Sequence, residues 1–196
     1  LFLYEPNAVD TDDFDVSIPT EQARKELGVS LDKKIIVYTG HLYGWKGVDT
    51  LAEAARLLPL DFEVIFVGGT SHDVDSFLKK YGDVKNIQVV GHKPHAQIPL
   101  WQKAADVLVL PNTGKEKISL YYTSPMKLFE YMASKKPIVA SDIPSIREIV
   151  DESSVAFFKP DDAVSLRDAL ILCVKGDRSH IVENAFSLVQ NHTWHK

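Results

Sequence analysis

From residue 34 onward, short β-branched runs alternate with amphipathic stretches, and this alternation restricts the fold more than any other feature of the sequence. The runs are "KIIVYTG" (34–40), "FEVIFVGG" (62–69), "NIQVVG" (86–91), "DVLVLP" (106–111), "KPIVAS" (136–141) and "VAFFK" (155–159). Each is brief, mostly apolar and closed by Gly, Pro, Ser or Lys, which is how strands buried on both faces of a parallel sheet read. Between them lie helical patterns: "GVDTLAEAARLL", with Val48, Leu51, Ala55 and Leu58 on one face, then "DVDSFLKKYG", "HAQIPLWQKA", "PMKLFEYMAS" and "PSIREIVD". Strands alternating with helices imply βαβ crossovers. The expected fold class is therefore α/β: a Rossmann-like, doubly wound parallel sheet of about six strands with helices on both faces. Two further helical patterns, "DDAVSLRDALILCVKG" and "RSHIVENAFSLVQ", follow the sixth run, the first with Asp161 and Asp162 at a helix start, where acids suit the dipole.

Composition narrows the function. The 196 residues are 45% hydrophobic and 25% charged, and the formal charge of −5 argues against a nucleic-acid partner, which would call for a basic face. An anionic ligand must then be held by a local site. The lone Cys173 excludes an internal disulfide, lies in an apolar pattern, and suits a reducing, cytoplasmic compartment. No apolar run approaches the roughly 18 residues that span a bilayer. Residues 1–33 are acidic and turn-rich, with a short helix "TEQARKELGV" for which Thr20 is the expected N-cap. The chain opens on Leu1 in "LFLY" and closes on "NHTWHK", so both ends read as cuts in a longer polypeptide. The expected organisation is a linker over 1–33, a binding domain over 34–192 and the start of another element over 193–196.

Ligands of open α/β sheets lie beyond the carboxyl ends of the strands, so the loops there carry the candidate site. After the first run, "TGHLYGWKGVD" offers Gly40, His41, Gly44, Lys46 and Gly47: glycines for close backbone approach and a lysine at a helix mouth, a combination suited to phosphate. Turns and a solvated lysine are the alternative. The spacing is not that of a dinucleotide fingerprint. Gly68 and Gly69 close the second run, and Gly91, His92 and Lys93 follow the third, where a rigid main-chain edge could read a base. His92 and His95 lack companion ligands at metal spacing, so no metal is expected. The long polar loop after the fourth run leads to Ser124 as N-cap, Pro125 at the first helical position, then Met126 and Lys127. A lysine in a first turn opposes the helix dipole, so Lys127 either faces an anion or reaches to water. Glu130, in the middle of an apolar and aromatic helix, either points to solvent or accepts hydrogen bonds from a ligand diol.

Taken in order, "PNAVD", "YTGHLYGWKGVDTLAEAARLL", "VIFVGG", "VVGHKPHAQIPLWQKAADVLVLP" and "SPMKLFEYMASKKPIVASDIPSIREIV" resemble the carboxyl-terminal, donor-binding domain of GT-B retaining glycosyltransferases, the group that includes sucrose-phosphate synthases and mannosyltransferases. The resemblance covers about residues 5–195. It implies a nucleotide-sugar donor, no metal and no covalently bound cofactor. Lys46 and the amides near Ser124, Pro125 and Met126 would meet the diphosphate; the base would meet main-chain groups around His92 and Lys93; Glu130 would bind the ribose hydroxyls. Two positions depart from the pattern. His41 stands where the family has an arginine, and Tyr122 stands eight positions before Glu130, where the family has a glutamate that touches the sugar; Glu116 is nearby but out of register. The resemblance also implies a separate amino-terminal domain that holds the acceptor, so that this chain alone would bind donor only, and any membrane association would reside mostly in that domain. Two other readings compete: a nucleotide-sugar epimerase-like domain, for which catalytic acids are not identified, and a non-catalytic Rossmann-like binding module.

Overall fold

The computed structural model describes residues 9–122 and 126–193. Six strands, β1 (Lys34–Thr39), β2 (Phe62–Val67), β3 (Ile87–Gly91), β4 (Val107–Leu110), β5 (Ile138–Ser141) and β6 (Ala156–Phe158), form one sheet in the order β3-β2-β1-β4-β5-β6. Every pairing is parallel, as the short apolar runs require. The helices are α1 (Thr11–Phe14), α2 (Thr20–Leu27), α3 (Val48–Leu57), α4 (Ser71–Tyr81), α5 (Ile98–Ala104), α6 (Met126–Ala133), α7 (Pro144–Arg147), α8 (Ala163–Lys175) and α9 (Ser179–Val189).

Because strand side chains alternate between faces, one strand supplies two cores. Ile35 and Val37 point to a layer with Leu108, Leu128, Met132 and Ala185, while Ile36 and Tyr38 point to the opposite layer with Leu51, Phe66, Val107 and Leu170. Both layers are dry: each of these residues is essentially inaccessible to solvent. Val9, Phe14 and Val29 join the first layer, so residues 9–33 pack onto the sheet rather than trailing from it.

Several local expectations change. Thr20 does not cap α2: the cap position is Pro19, with no side-chain cap, and Thr20 Oγ1 instead accepts from Lys136 Nζ at 2.9 Å. Helix α4 starts earlier than "DVDSFLKKYG" suggests, because Thr70 and Asp73 form a reciprocal capping box. Helix α7 is a single turn. The stretch before α6 contains a π-helical turn, Ile118–Tyr122, within what reads as a polar loop. Asp162 does cap α8, accepting from the N–H groups of Val164 and Ser165. The expected cap Ser124 and the first-turn Pro125 lie outside the described residues.

Strand order is what positions the site. β1 continues outward to β2 and β3 on one side, whereas β4 sits on its other side and continues to β5 and β6. The chain direction of growth reverses between β1 and β4, and the loops leaving these two strands diverge and leave a crevice at their carboxyl ends.

Candidate functional site

A cavity of about 380 Å³ opens at that crevice, walled by Thr39 at the end of β1 with Gly40 and Lys46 in the loop beyond it, by Leu110 at the end of β4 with Asn112 beyond it, by His95 and Ile98 leading into α5, and by Met126, Lys127 and Glu130 of α6. These residues come from four separate segments of the sequence, brought together by the strand order.

The floor is set by hydrogen bonds that leave little freedom. Tyr131, fully buried on α6, takes the N–H of Thr39 on its hydroxyl oxygen at 2.9 Å and lies 3.1 Å from the Thr39 hydroxyl. This bond ties α6 to the end of β1 and fixes the position of the adjacent Glu130. The Tyr38 hydroxyl donates to the His41 carbonyl at 2.7 Å and so shapes the loop after β1. Gly40 is suited to this point because its φ of 130° is a conformation that residues with a Cβ rarely adopt, and it leaves room for Lys127 Nζ to lie close by.

Lys127 is the electrostatic centre of the cavity. Its ammonium lies 4.2 Å above the Tyr38 ring, is buried, and has no hydrogen-bond partner among the described residues. The alternative that it reaches to water is thereby excluded. Burial first, and the charge of Lys46 second, pull its pKa down to about 7 against the opposing pull of Glu130. Lys46, lying 3.8 Å over the Trp45 ring, is also held below its ordinary value by burial. Asn112 Oδ1 is a second buried atom on this wall without a partner. A pair of partly desolvated cations with an unpaired ammonium is stable only at a cost, and an anion placed between them relieves it. Glu130, three residues along α6 from Lys127, presents to the same cavity a carboxylate whose side chain is 17% exposed, with its Oε1 3.6 Å from His95 Nε2. The cavity thus offers two cations and a carboxylate hydrogen-bond acceptor.

Of the residues named from the sequence, Gly40, Lys46, Met126, Lys127 and Glu130 line this cavity. His41 does not: it is exposed and stacks on Tyr43 with ring centroids 4.8 Å apart. His92 is exposed, and neither it nor Lys93 is among the lining residues. Tyr122 is 78% exposed on the π-helical turn. Gly68 (φ 128°) and Gly91 (φ 66°) shape the neighbouring strand ends, and a Cβ on Gly68 would overlap the carbonyl of Gly40. Ser124 and Pro125 fall outside the described residues. Asn112, Thr39 and His95 are lining residues that the sequence does not single out for ligand binding. Asn112 directly follows the fourth apolar run, but its place opposite Lys46 depends on β4 lying beside β1, which one sequence does not disclose.

A parallel sheet with a cation-lined crevice at its switch point defines a Rossmann-like ligand-binding domain of the type found in GT-B glycosyltransferases. The chain belongs to the glycosyl transferases group 1 family, whose model matches residues 33–175. It is 29% identical over 150 residues to a putative teichuronic acid biosynthesis glycosyltransferase of Bacillus subtilis, a match covering 76% of this chain and 35% of that protein. It is 24% identical over 203 residues to a D-inositol 3-phosphate glycosyltransferase of Xylanimonas cellulosilytica, covering 96% of this chain and 47% of the relative. The chain therefore spans about a third to a half of the curated relatives it matches. Among solved structures, the HepE protein of Anabaena in complex with UDP and glucose superposes with a TM-score of 0.77 at 20% identity, over 95% of this chain and 51% of that one. The carboxyl-terminal domain of a group 1 glycosyl transferase from Francisella tularensis superposes with a TM-score of 0.73 at 24% identity, over 94% of this chain and 97% of that domain. These structural likenesses establish the fold. Among the described residues, no helix is long and apolar enough to cross a membrane, and no three His, Cys, Asp or Glu side chains are grouped to hold a metal.

Proposed function

We propose that this chain is the nucleotide-sugar-binding half of a retaining glycosyltransferase, one that transfers a sugar, of hexose type, to an acceptor held by a separate amino-terminal domain. The observation that carries the reading is the buried ammonium of Lys127, without a hydrogen-bond partner among the described residues, beside Lys46 in a cavity that Glu130 also lines. The two lysines receive the diphosphate and Glu130 accepts from the ribose hydroxyls. The apolar wall of Ile98, Leu110 and Met126 flanks the nucleoside. Backbone N–H groups of Ser124 and Met126 add donors to the phosphates, Pro125 between them having none to give, and main-chain groups around His92 and Lys93 meet the base. Tyr122, exposed on the π-helical turn before α6, takes the position of the sugar contact. With the cations supplied by side chains, no metal is required to bind the donor, and this chain by itself binds donor without turning it over. The location proposed is cytoplasmic, in keeping with one buried thiol, Cys173, that burial pushes up to about 11 and leaves unreactive.

Two substitutions test these assignments. Glu130→Gln keeps the size but removes the charged acceptor, and is expected to weaken nucleoside and nucleotide binding alike by about 1 to 3 kcal/mol. Lys46→Ala is expected to weaken nucleoside diphosphate binding at least tenfold, on the order of one charge-assisted contact, while leaving nucleoside binding nearly unchanged. Both are read by calorimetric titration with a nucleoside and its diphosphate. Equal losses for the two ligands in Lys46→Ala, or no loss for either in Glu130→Gln, overturn the placement.

A further inference from the structure

The end of the sheet remote from the donor cavity carries a second charged cleft. It has a volume of about 520 Å³ and is bounded by the first residue of β1, by the segments that precede β4 and β5 and by the α8–α9 region. Lys34, Lys136 and Arg178 line it, one from each of three separate segments.

None of these three cations makes an ion pair among the described residues. Lys136 Nζ donates only to the Thr20 hydroxyl. Arg178 donates through Nη2 to the Leu172 carbonyl at 3.0 Å, and its Nε is buried without a partner. Of the two carboxylates in the cleft, Asp106 is ion-paired and Asp177 is hydrogen-bonded but keeps its charge. Asp106 is 2.7 Å from Arg24 Nη2 and accepts the Ile35 N–H at 2.7 Å. Asp177 accepts from the N–H and hydroxyl of Ser179. The rim residue Lys135 is paired with Asp15. Burial, with Lys103 adding repulsion, pulls Lys136 down to about 8, against the weaker pull of Asp106. In a chain of net charge −5, a cleft in which three cations without ion pairs face one unpaired carboxylate, Asp177, is a local inversion of sign. An unmatched cation in a partly desolvated setting is unfavourable, and a multivalent oxyanion able to bridge an ammonium pair and a guanidinium relieves it.

We propose that this cleft is a second anion site, separate from the donor cavity, that takes a small soluble phosphate: inorganic phosphate, pyrophosphate or the phosphate group of a phosphorylated small molecule. The volume admits a group larger than one phosphate. Lys136 and Arg178 are only partly exposed, with Lys34 at the exposed rim, which suits a free phosphate rather than the plane of a lipid surface. The inference stands on the remote cleft alone and does not depend on what the donor cavity binds.

The test is calorimetric titration of pyrophosphate and of inorganic phosphate at constant ionic strength into the unaltered chain and into a Lys46→Ala, Lys127→Met double variant that removes the donor-cavity cations. Saturable pyrophosphate binding is expected to persist in the double variant. Adding Lys136→Met and Arg178→Gln is expected to raise its Kd about tenfold or more per cation removed. If Lys136→Met does not fold, as judged by circular dichroism, Lys34→Gln at the exposed rim serves instead and is expected to weaken binding severalfold. Absence of pyrophosphate binding in the double variant, or binding indifferent to the substitutions at positions 34, 136 and 178, overturns the proposal. Co-sedimentation with phosphatidic acid vesicles that depends on those same residues overturns the assignment to a soluble anion.

Discussion

Lys127→Met is expected to make the fold more stable and to remove most of its affinity for a nucleoside diphosphate. The two effects have one origin. In the folded chain burial and Lys46 leave Lys127 protonated only up to about pH 7, against 10.5 for a free lysine. Across that window the unfolded chain binds more protons than the native one, so stability rises with pH from about 7 to 10.5 and is reduced by the full penalty below 7. Methionine removes the titrating group but also the cation over the Tyr38 ring, a contact worth about 0.5 to 2 kcal/mol. A net gain of roughly 1 to 3 kcal/mol at pH 6 is expected, with little pH dependence left between 7 and 10. Denaturant unfolding at pH 6 and 9 measures it. Destabilisation at pH 6 contradicts a strained lysine. Binding follows the opposite trend. For a sugar nucleotide whose two phosphates are both diesters, neither phosphate titrates in this range, so affinity is expected to fall by up to tenfold per pH unit above about 7 as Lys127 loses its proton. The variant is expected to show neither that affinity nor that slope.

Gly47→Ala is the second large effect, and it acts on the backbone rather than on charge. Gly47 joins the 3-10 turn Gly44–Lys46 to α3 with φ 74°, a left-handed conformation that costs an alanine on the order of 1 to 2 kcal/mol. Its Cβ would also overlap the carbonyl oxygen of Pro111, which is backbone and has no room to give. Here the loops leaving β1 and β4 touch, across the switch point of the sheet. A loss of about 3 kcal/mol or more is expected, because a clash between two backbones is relieved only by separating the loops. The same separation moves Lys46 away from Asn112, so nucleotide binding is expected to fall along with the melting temperature. A variant that melts within a degree or two of the unaltered chain contradicts this close approach.

The sheet was legible in the sequence because burial on both faces leaves a composition signal: six short apolar runs, each followed by a turn residue, correspond to six parallel strands. Helix ends were less so. Thr20 has the right chemistry for a cap, but Pro19 already holds the extended geometry before α2, and the threonine hydroxyl serves Lys136. Half of the site could be read from local logic. Lys127 and Glu130 conflict with their immediate surroundings, a cation in a first turn and an acid on an apolar helix, and both face the cavity. The remainder depends on which strands are neighbours. Asn112 and His95 reach the cavity only because β4 lies beside β1 and the chain before α5 crosses over it. His41 shows the converse. It sits in the expected loop, but its ring stacks on Tyr43 instead of facing Lys46.

The central claim is that this crevice receives a nucleoside diphosphate through side chains alone. Its most direct test is calorimetric titration of the chain with UDP, GDP and ADP near pH 7, with and without a chelator. One saturable site for at least one of them, unaffected by the chelator and lost in Lys127→Met, is the predicted result and identifies the base. No heat at millimolar concentrations of all three, or binding of equal strength in the Lys127→Met variant, contradicts it.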